Sequence, residues 1–208
     1  MRLSRFLALS LLLTGFTHSG QADDDTKAFL DPGNWQGRTD IWSIQDGKII
    51  GETKEDPKYN TFFVSKKEYG DFELSFKVRL LDGVGNSGVQ IRSELKDKEK
   101  FRVHGPQVDV GKGYFGSLYG EGVGGMMKAA PKEVVATAKP DGVSEYHVIA
   151  KGNRITIKLN GQVAVDEEFP NTPNKQPLKT HGVIAFQAHA GYPKMRVEFF
   201  DIKFKELK

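Results

Sequence analysis

The 208-residue chain contains no cysteine. Disulfides, thiolate nucleophiles, cysteine-held zinc and iron–sulfur clusters are therefore excluded, and stability must come from a packed core. After Phe16 there is no long apolar run, which excludes a membrane-spanning helix there. No long apolar pattern repeats with the helical period, so helices are not expected to build the core. Nor is there a surplus of charge. Without Arg2 and Arg5, which belong to an N-terminal segment set apart below, 28 basic residues face 27 acidic ones, a net of +1. A nearly neutral chain argues against a nucleic-acid partner.

Residues 1–22 have the pattern of a secretory signal peptide. Arg2 and Arg5 make a basic start, Phe6 to Phe16 an apolar centre, and Gly20 and Ala22 place small residues ahead of a cleavage site. The apolar centre is too short to span a membrane. The expectation is an exported protein, periplasmic or extracellular, with no membrane span after processing. Residues 23–27 read as a flexible leader, and 28–208 as a single domain of ordinary size.

The 23 glycines and 14 phenylalanines suggest many short strands joined by tight turns. Phe72, Leu74, Phe76 and Val78 alternate with Glu73, Ser75, Lys77 and Arg79, the clearest strand in the chain. Asp46-Gly47 and Asn160-Gly161 are two-residue hairpin turns, whose central residues need positive φ. Residues 145–165 read as three consecutive strands of scaffold. Residues 95–100 read as a charged, solvated connection. Residues 111–133, with seven glycines, read as a long irregular loop. It lacks the Gly-Lys-Ser/Thr ending of a phosphate-binding loop. It is expected to fold as a flap carrying Tyr114 and Tyr119 as sugar-stacking rings. Ten to thirteen short strands imply an all-β, two-sheet antiparallel jelly-roll sandwich.

Three strands carry an unusual polar face. Val89 and Ile91 oppose Gln90 and Arg92, Val108 and Val110 oppose Gln107 and Asp109, and Ile184, Phe186 and Ala188 oppose Gln187 and His189. If the three strands share one sheet, Gln90, Arg92, Gln107, Asp109, Gln187 and His189 converge on one surface. The alternative is three independently solvated outer faces.

The order of certain motifs resembles a known family. These are Trp42…Asp46-Gly47, Tyr69-Gly70-Asp71-Phe72-Glu73-Leu74, Asn86-Ser87-Gly88-Val89…Arg92, Gln107-Val108-Asp109, Gly116-Ser117-Leu118-Tyr119 and Gly182-Val183-Ile184-Ala185-Phe186-Gln187-Ala188-His189. Together they resemble the bacterial 3-keto-disaccharide hydrolase domain, a concanavalin-like jelly roll, over residues 28–207. Two positions depart from that pattern. Gly105 stands where the family usually has an acid, and Phe200 where it typically has an arginine.

The resemblance implies cleavage of glycosides already oxidised at the sugar 3-position, on the concave sheet. A 3-ketone acidifies the C2 proton, so one base and one enolate-stabilising group suffice for β-elimination. His189 fits the base, Arg92 the enolate partner, and Asp109 a group that orients His189 or shares a metal. Asn86, Gln90, Gln107, Gln187, Tyr114 and Tyr119 would bind substrate. A laminarinase-type glycosidase needs Glu-x-Asp-x-x-Glu on one strand, and Gln107…Lys112 lacks both outer carboxylates. A non-catalytic carbohydrate-binding module needs the same amides and rings but no base. A divalent cation stays open as a cofactor, with no compact Asp-rich loop to hold one.

Overall fold

The computed structural model describes residues 19–208, and the expected signal peptide lies outside them up to residue 18. A helix, α1 (Ser19–Phe29), precedes the strands β1 (Trp35–Gln36), β2 (Trp42–Gln45), β3 (Lys48–Thr53), β4 (Thr61–Tyr69), β5 (Phe72–Leu80), β6 (Asn86–Asp97) and β7 (Arg102–Gly111). Then come β8 (Leu118–Glu121), β9 (Gly125–Lys128), a short helix α2 (Lys132–Val135), β10 (Val143–Lys151), β11 (Arg154–Leu159), β12 (Gln162–Glu168), β13 (Gly182–Ala188) and β14 (Met195–Glu206). Two seven-stranded antiparallel sheets result. Sheet A runs β1-β4-β13-β6-β7-β8-β9, and sheet B runs β12-β11-β10-β5-β14-β3-β2. This is the expected all-β sandwich.

The alternation read in the sequence decides which faces meet. In β5, Phe72, Leu74, Phe76, Val78 and Leu80 are all buried and point to sheet A. Sheet A answers with Val89, Ile91, Val108, Val110, Ile184, Phe186 and Ala188 in the same cluster. Phe186 and Phe199 cross the interface with ring centroids 4.7 Å apart. The Asp46-Gly47 and Asn160-Gly161 turns have φ of 49°, 72°, 48° and 79°, as a type I′ turn requires.

Sheet A is curled. Cα atoms of β4 and β7 come within 8 Å of each other, although β13 and β6 lie between them. In a flat sheet three strand spacings would hold them about 14 Å apart. The face turned away from sheet B is therefore concave. A second apolar cluster of Phe62, Val64, Val103, Val183 and Ala185, flanked by Leu95 and Phe101, fills part of this concavity.

Three expectations are corrected. Residues 23–27 are not a free leader. They lie in α1, where Thr26 Oγ1 accepts from Phe204 N at 2.9 Å and Asp25 Oδ2 from Glu206 N at 3.1 Å. This end of β14 extends beyond β3, and α1 satisfies the edge that β3 leaves open. Residues 111–133 are not an irregular flap. They contain the β8–β9 hairpin, which extends sheet A, followed by α2. Residues 95–97 continue β6, because Leu95 packs beside Val103 in the concave cluster.

Arg92 ties the sheets together. Its φ of 46° lies in the left-handed region at a bulge in β6. Nε donates to Gly70 O at 2.8 Å, Nη2 to Asp71 Oδ1 at 2.8 Å, and Nη1 to Gly152 O. Gly70 and Asp71 form the turn that joins β4 of sheet A to β5 of sheet B, and Gly152 lies in the β10–β11 turn of sheet B. Arg92→Met should lower the free energy of urea unfolding by about 3 kcal/mol, since it leaves these acceptors without their cation. Arg92→Lys should recover only part of that loss, because an ammonium cannot reproduce the guanidinium fork.

Candidate functional site

The strands that carry the polar residues, β13, β6 and β7, are neighbours in sheet A. Gly88 pairs with Asp109, Gln90 with Gln107, and Ala185 with Gln90. Ser87 Oγ donates to Gln187 O at 2.6 Å and pins β6 to β13 beside the site. Gly88 is required by close approach: a Cβ there would lie 2.6 Å from Gln107 Cγ.

A cleft of about 400 Å³ opens on the concave face. Asn86, Gln107, Asp109, Tyr114, Tyr119, Gln187 and His189 line it, together with Asn60, Glu121 and Gly122. Seven residues expected from the sequence are thus brought together, and two are not. Gln90 lies beneath the cleft, fully buried, its carboxamide 2.9 Å from that of Gln107 and 2.7 Å from Ser93 Oγ. Arg92 leaves the site altogether. The bulge at its left-handed backbone breaks the alternation, and the side chain runs to sheet B instead. The expected role of Arg92 at an enolate is therefore corrected to an interlayer tie.

Gln107 organises the floor. Its Nε2 donates to Asp109 Oδ1 at 2.8 Å and to Gln187 Oε1 at 3.2 Å. Gln187 Nε2 is buried and has no partner among the described residues. Such a donor costs about 1–3 kcal/mol, which a ligand oxygen would offset. Asp109 is only 6% exposed. Burial pushes its carboxyl up to about 7, with the negative charge of Glu121 adding to the effect against the hydrogen bond from Gln107. From sheet B, the Tyr146 hydroxyl donates to Asp109 O at 2.8 Å and holds this part of β7.

His189 follows the end of β13. Its Nδ1 lies 2.5 Å from Ala190 O. A carbonyl can only accept, so Nδ1 carries a proton, and in the neutral imidazole Nε2 keeps its lone pair. Tyr114, 50% exposed, stands at the rim. Asn60 and Glu121 were missed in the sequence. Asn60 precedes a strand with no polar face, and Glu121 fell within a stretch read as loop. They meet across the cleft, Asn60 Nδ2 donating to Glu121 Oε1 at 3.1 Å. Among the described residues no three His, Asp or Glu side chains approach as a metal-ligand set.

The sequence profile of the 3-keto-alpha-glucoside-1,2-lyase-like domain matches residues 13–205. The chain belongs to this family. A comparison with curated proteins finds no match. Among solved structures, the fold is similar to a proposed glycosyl hydrolase from Parabacteroides distasonis, with a TM-score of 0.61 and 20% identity over 84% of this chain and 94% of the other. It is also similar to the carbohydrate-binding module CBM66 from Bacillus subtilis, with a TM-score of 0.55 and 15% identity over 83% and 96% of the two chains. A third relative is a Bacillus subtilis protein with a galectin-like fold, with a TM-score of 0.58 and 14% identity over 84% and 90%. At these identities the likeness is one of fold.

The two departures from the family pattern read differently in three dimensions. Phe200 lies on β14 in sheet B, with Lys48 Nζ 5.9 Å from its ring, and does not line the cleft. Gly105 lies beside the buried network. A Cβ there would stand 2.2 Å from Ser93 Oγ, so Ser93 occupies the space that a side chain at 105 would need.

The raised Asp109 carboxyl has a signature in stability. Its contribution is fully present below the ordinary aspartate pKa and is lost as pH rises toward 7, because the native state then holds a proton that the unfolded chain has released. Relative to Asp109→Asn, the wild-type protein should lose on the order of 4 kcal/mol between pH 4 and pH 8. Thermal melts of both proteins across that range check it. Parallel curves would show that Asp109 titrates normally.

Proposed function

We propose that this cleft binds the glycone of a 3-keto-glycoside and eliminates its aglycone. The reading rests on one observation: His189 and Asp109 face a single concave cleft whose other polar lining consists largely of side-chain amides. Amides recognise hydroxyls and carbonyls without charge, as an uncharged sugar requires. The substrate arrives already oxidised, so no redox cofactor enters the reaction.

The 3-ketone makes the C2 proton acidic, and His189 Nε2 removes it. Gln187 Nε2 donates to the developing enolate oxygen, the role that the sequence had assigned to Arg92. The electron pair forms the C1–C2 double bond as the C1–O bond breaks. Asp109, whose carboxyl burial pushes up to about 7, gives its proton to the departing oxygen. The products are an unsaturated 3-keto sugar and the free alcohol. Water added across the double bond would make the overall reaction a hydrolysis. Tyr114 and Tyr119 offer stacking faces for the sugar ring at the rim. We further propose that the reaction takes place outside the cytoplasm, on the strength of the signal pattern in residues 1–22.

The half-exposed Tyr114 beside the amide floor favours a second reading, a carbohydrate-binding domain without turnover. One assay separates the two. Purified protein is mixed with an aryl 3-keto-glucoside, and both phenol release and the ultraviolet absorption of the conjugated enone are followed. Enone should appear with the phenol, and His189→Ala should slow both by about 100-fold or more. Saturable binding with no release would leave the binding-domain reading standing.

A further inference from the structure

The residues behind His189 form a chain of contacts that runs from β8 to the segment ahead of β4. Asn60 stands just ahead of β4, on the far side of the cleft from β8. Its Oδ1 accepts from Ala190 N at 3.0 Å, while its Nδ2 donates to Glu121 Oε1 at 3.1 Å. The carbonyl of that same residue, Ala190, receives His189 Nδ1. One residue on, Gly191 N donates to Asp56 Oδ1 at 3.0 Å. Two consecutive backbone N–H groups after His189 are thus held by side chains of the segment preceding β4. Tyr192 packs edge-on to the imidazole at 5.9 Å.

We propose that Asn60 is a positioning residue: by clamping the Ala190 backbone it keeps the proton of His189 on Nδ1 and leaves Nε2 free toward the cleft. Among the described residues no side-chain carboxylate is hydrogen-bonded to Nδ1, so the tautomer depends on one backbone carbonyl. A carbonyl on a mobile loop would not hold that choice, because rotation of the Ala190 peptide would remove the acceptor. The 190–191 peptide that carries this carbonyl is held by Asp56 through Gly191 N, and Asn60, anchored at its other end by Glu121, holds the adjoining 189–190 peptide through Ala190 N and so fixes the frame on which the carbonyl sits. An amide is the fitting side chain, since it must accept from one partner and donate to the other. The catalytic consequence rests on the elimination chemistry proposed above, whereas the tautomer does not.

The test compares with the wild type Asn60→Ala and Asn60→Asp, the latter made throughout together with Glu121→Gln, so that the 3.1 Å contact reverses its donor instead of setting two carboxylates against each other. Aspartate can still accept from Ala190 N, and alanine cannot. Long-range ¹H–¹⁵N spectra above the histidine titration should give His189 as the Nδ1–H form in the wild type and in Asn60→Asp. In Asn60→Ala they should give a mixture with the Nε2–H form. With an aryl 3-keto-glucoside, kcat of Asn60→Ala should fall by up to about 100-fold at little changed KM, and Asn60→Asp should retain most of the activity. A fixed Nδ1–H form in a folded Asn60→Ala protein, or equal loss of kcat in both variants, would overturn the proposal. The spectra stand even if the wild type turns over no 3-keto sugar, so failure of the chemistry and failure of the clamp give different results.

Discussion

The curl of sheet A is the constraint on which the rest of the molecule depends. A sheet packed on one side would normally leave its other face to water, where a row of glutamines needs no partners. Here the curl closes that face on itself, and Gln90, Gln107 and Gln187 are almost wholly removed from solvent. Buried amides must then satisfy one another. All but Gln187 Nε2 do so, as a ladder from Ser93 through Gln90 and Gln107 to Asp109 and Gln187. Asp109 takes its place at the end of this ladder, where desolvation raises its carboxyl.

The same closure divides the concave face into two parts. At one end, Phe62, Val64, Val103, Val183 and Ala185 form an apolar plug. At the other, the cleft opens between Asn60, Glu121 and His189. The plug covers the face at its own end, and the polar ladder meets the cleft at Gln107, Asp109 and Gln187. Charge is correspondingly sparse inside. The long guanidinium that the sequence places among these residues is diverted by its bulge and spends its three hydrogen-bonding directions on the β4–β5 and β10–β11 turns. Two links from sheet B thereby brace the site from behind, Arg92 at β6 and the Tyr146 hydroxyl under Asp109.

Alternation made much of this legible. Strict period two in Phe72–Val78 and in the Gln107 and Gln187 strands says which side chains share a face, and no later packing can undo that parity where the strand stays regular. Period two fails where the backbone leaves the pleat. One left-handed residue, Arg92, moved from the expected site to the interlayer core. The glycines of residues 111–133 hid β8 and β9, because loss of side-chain pattern looks the same in a loop and in a glycine-rich edge hairpin. The helix α1 was hidden for a different reason. It has few apolar residues, and its place is set by the open end of β14, which no local pattern announces.

By itself, then, the sequence determined the sandwich, the hairpin turns, the parity of each regular strand and, through its ordered motifs, the family. These are local or one-dimensional properties, carried by side-chain alternation and by turn residues with positive φ. Only the tertiary structure decided that sheet A curls, that Asn60 and Glu121 meet across a cleft, and that burial raises the Asp109 carboxyl. Those outcomes depend on distances between residues far apart in the chain, and on how much water the closed face excludes. Neither quantity exists until the strands have been brought together.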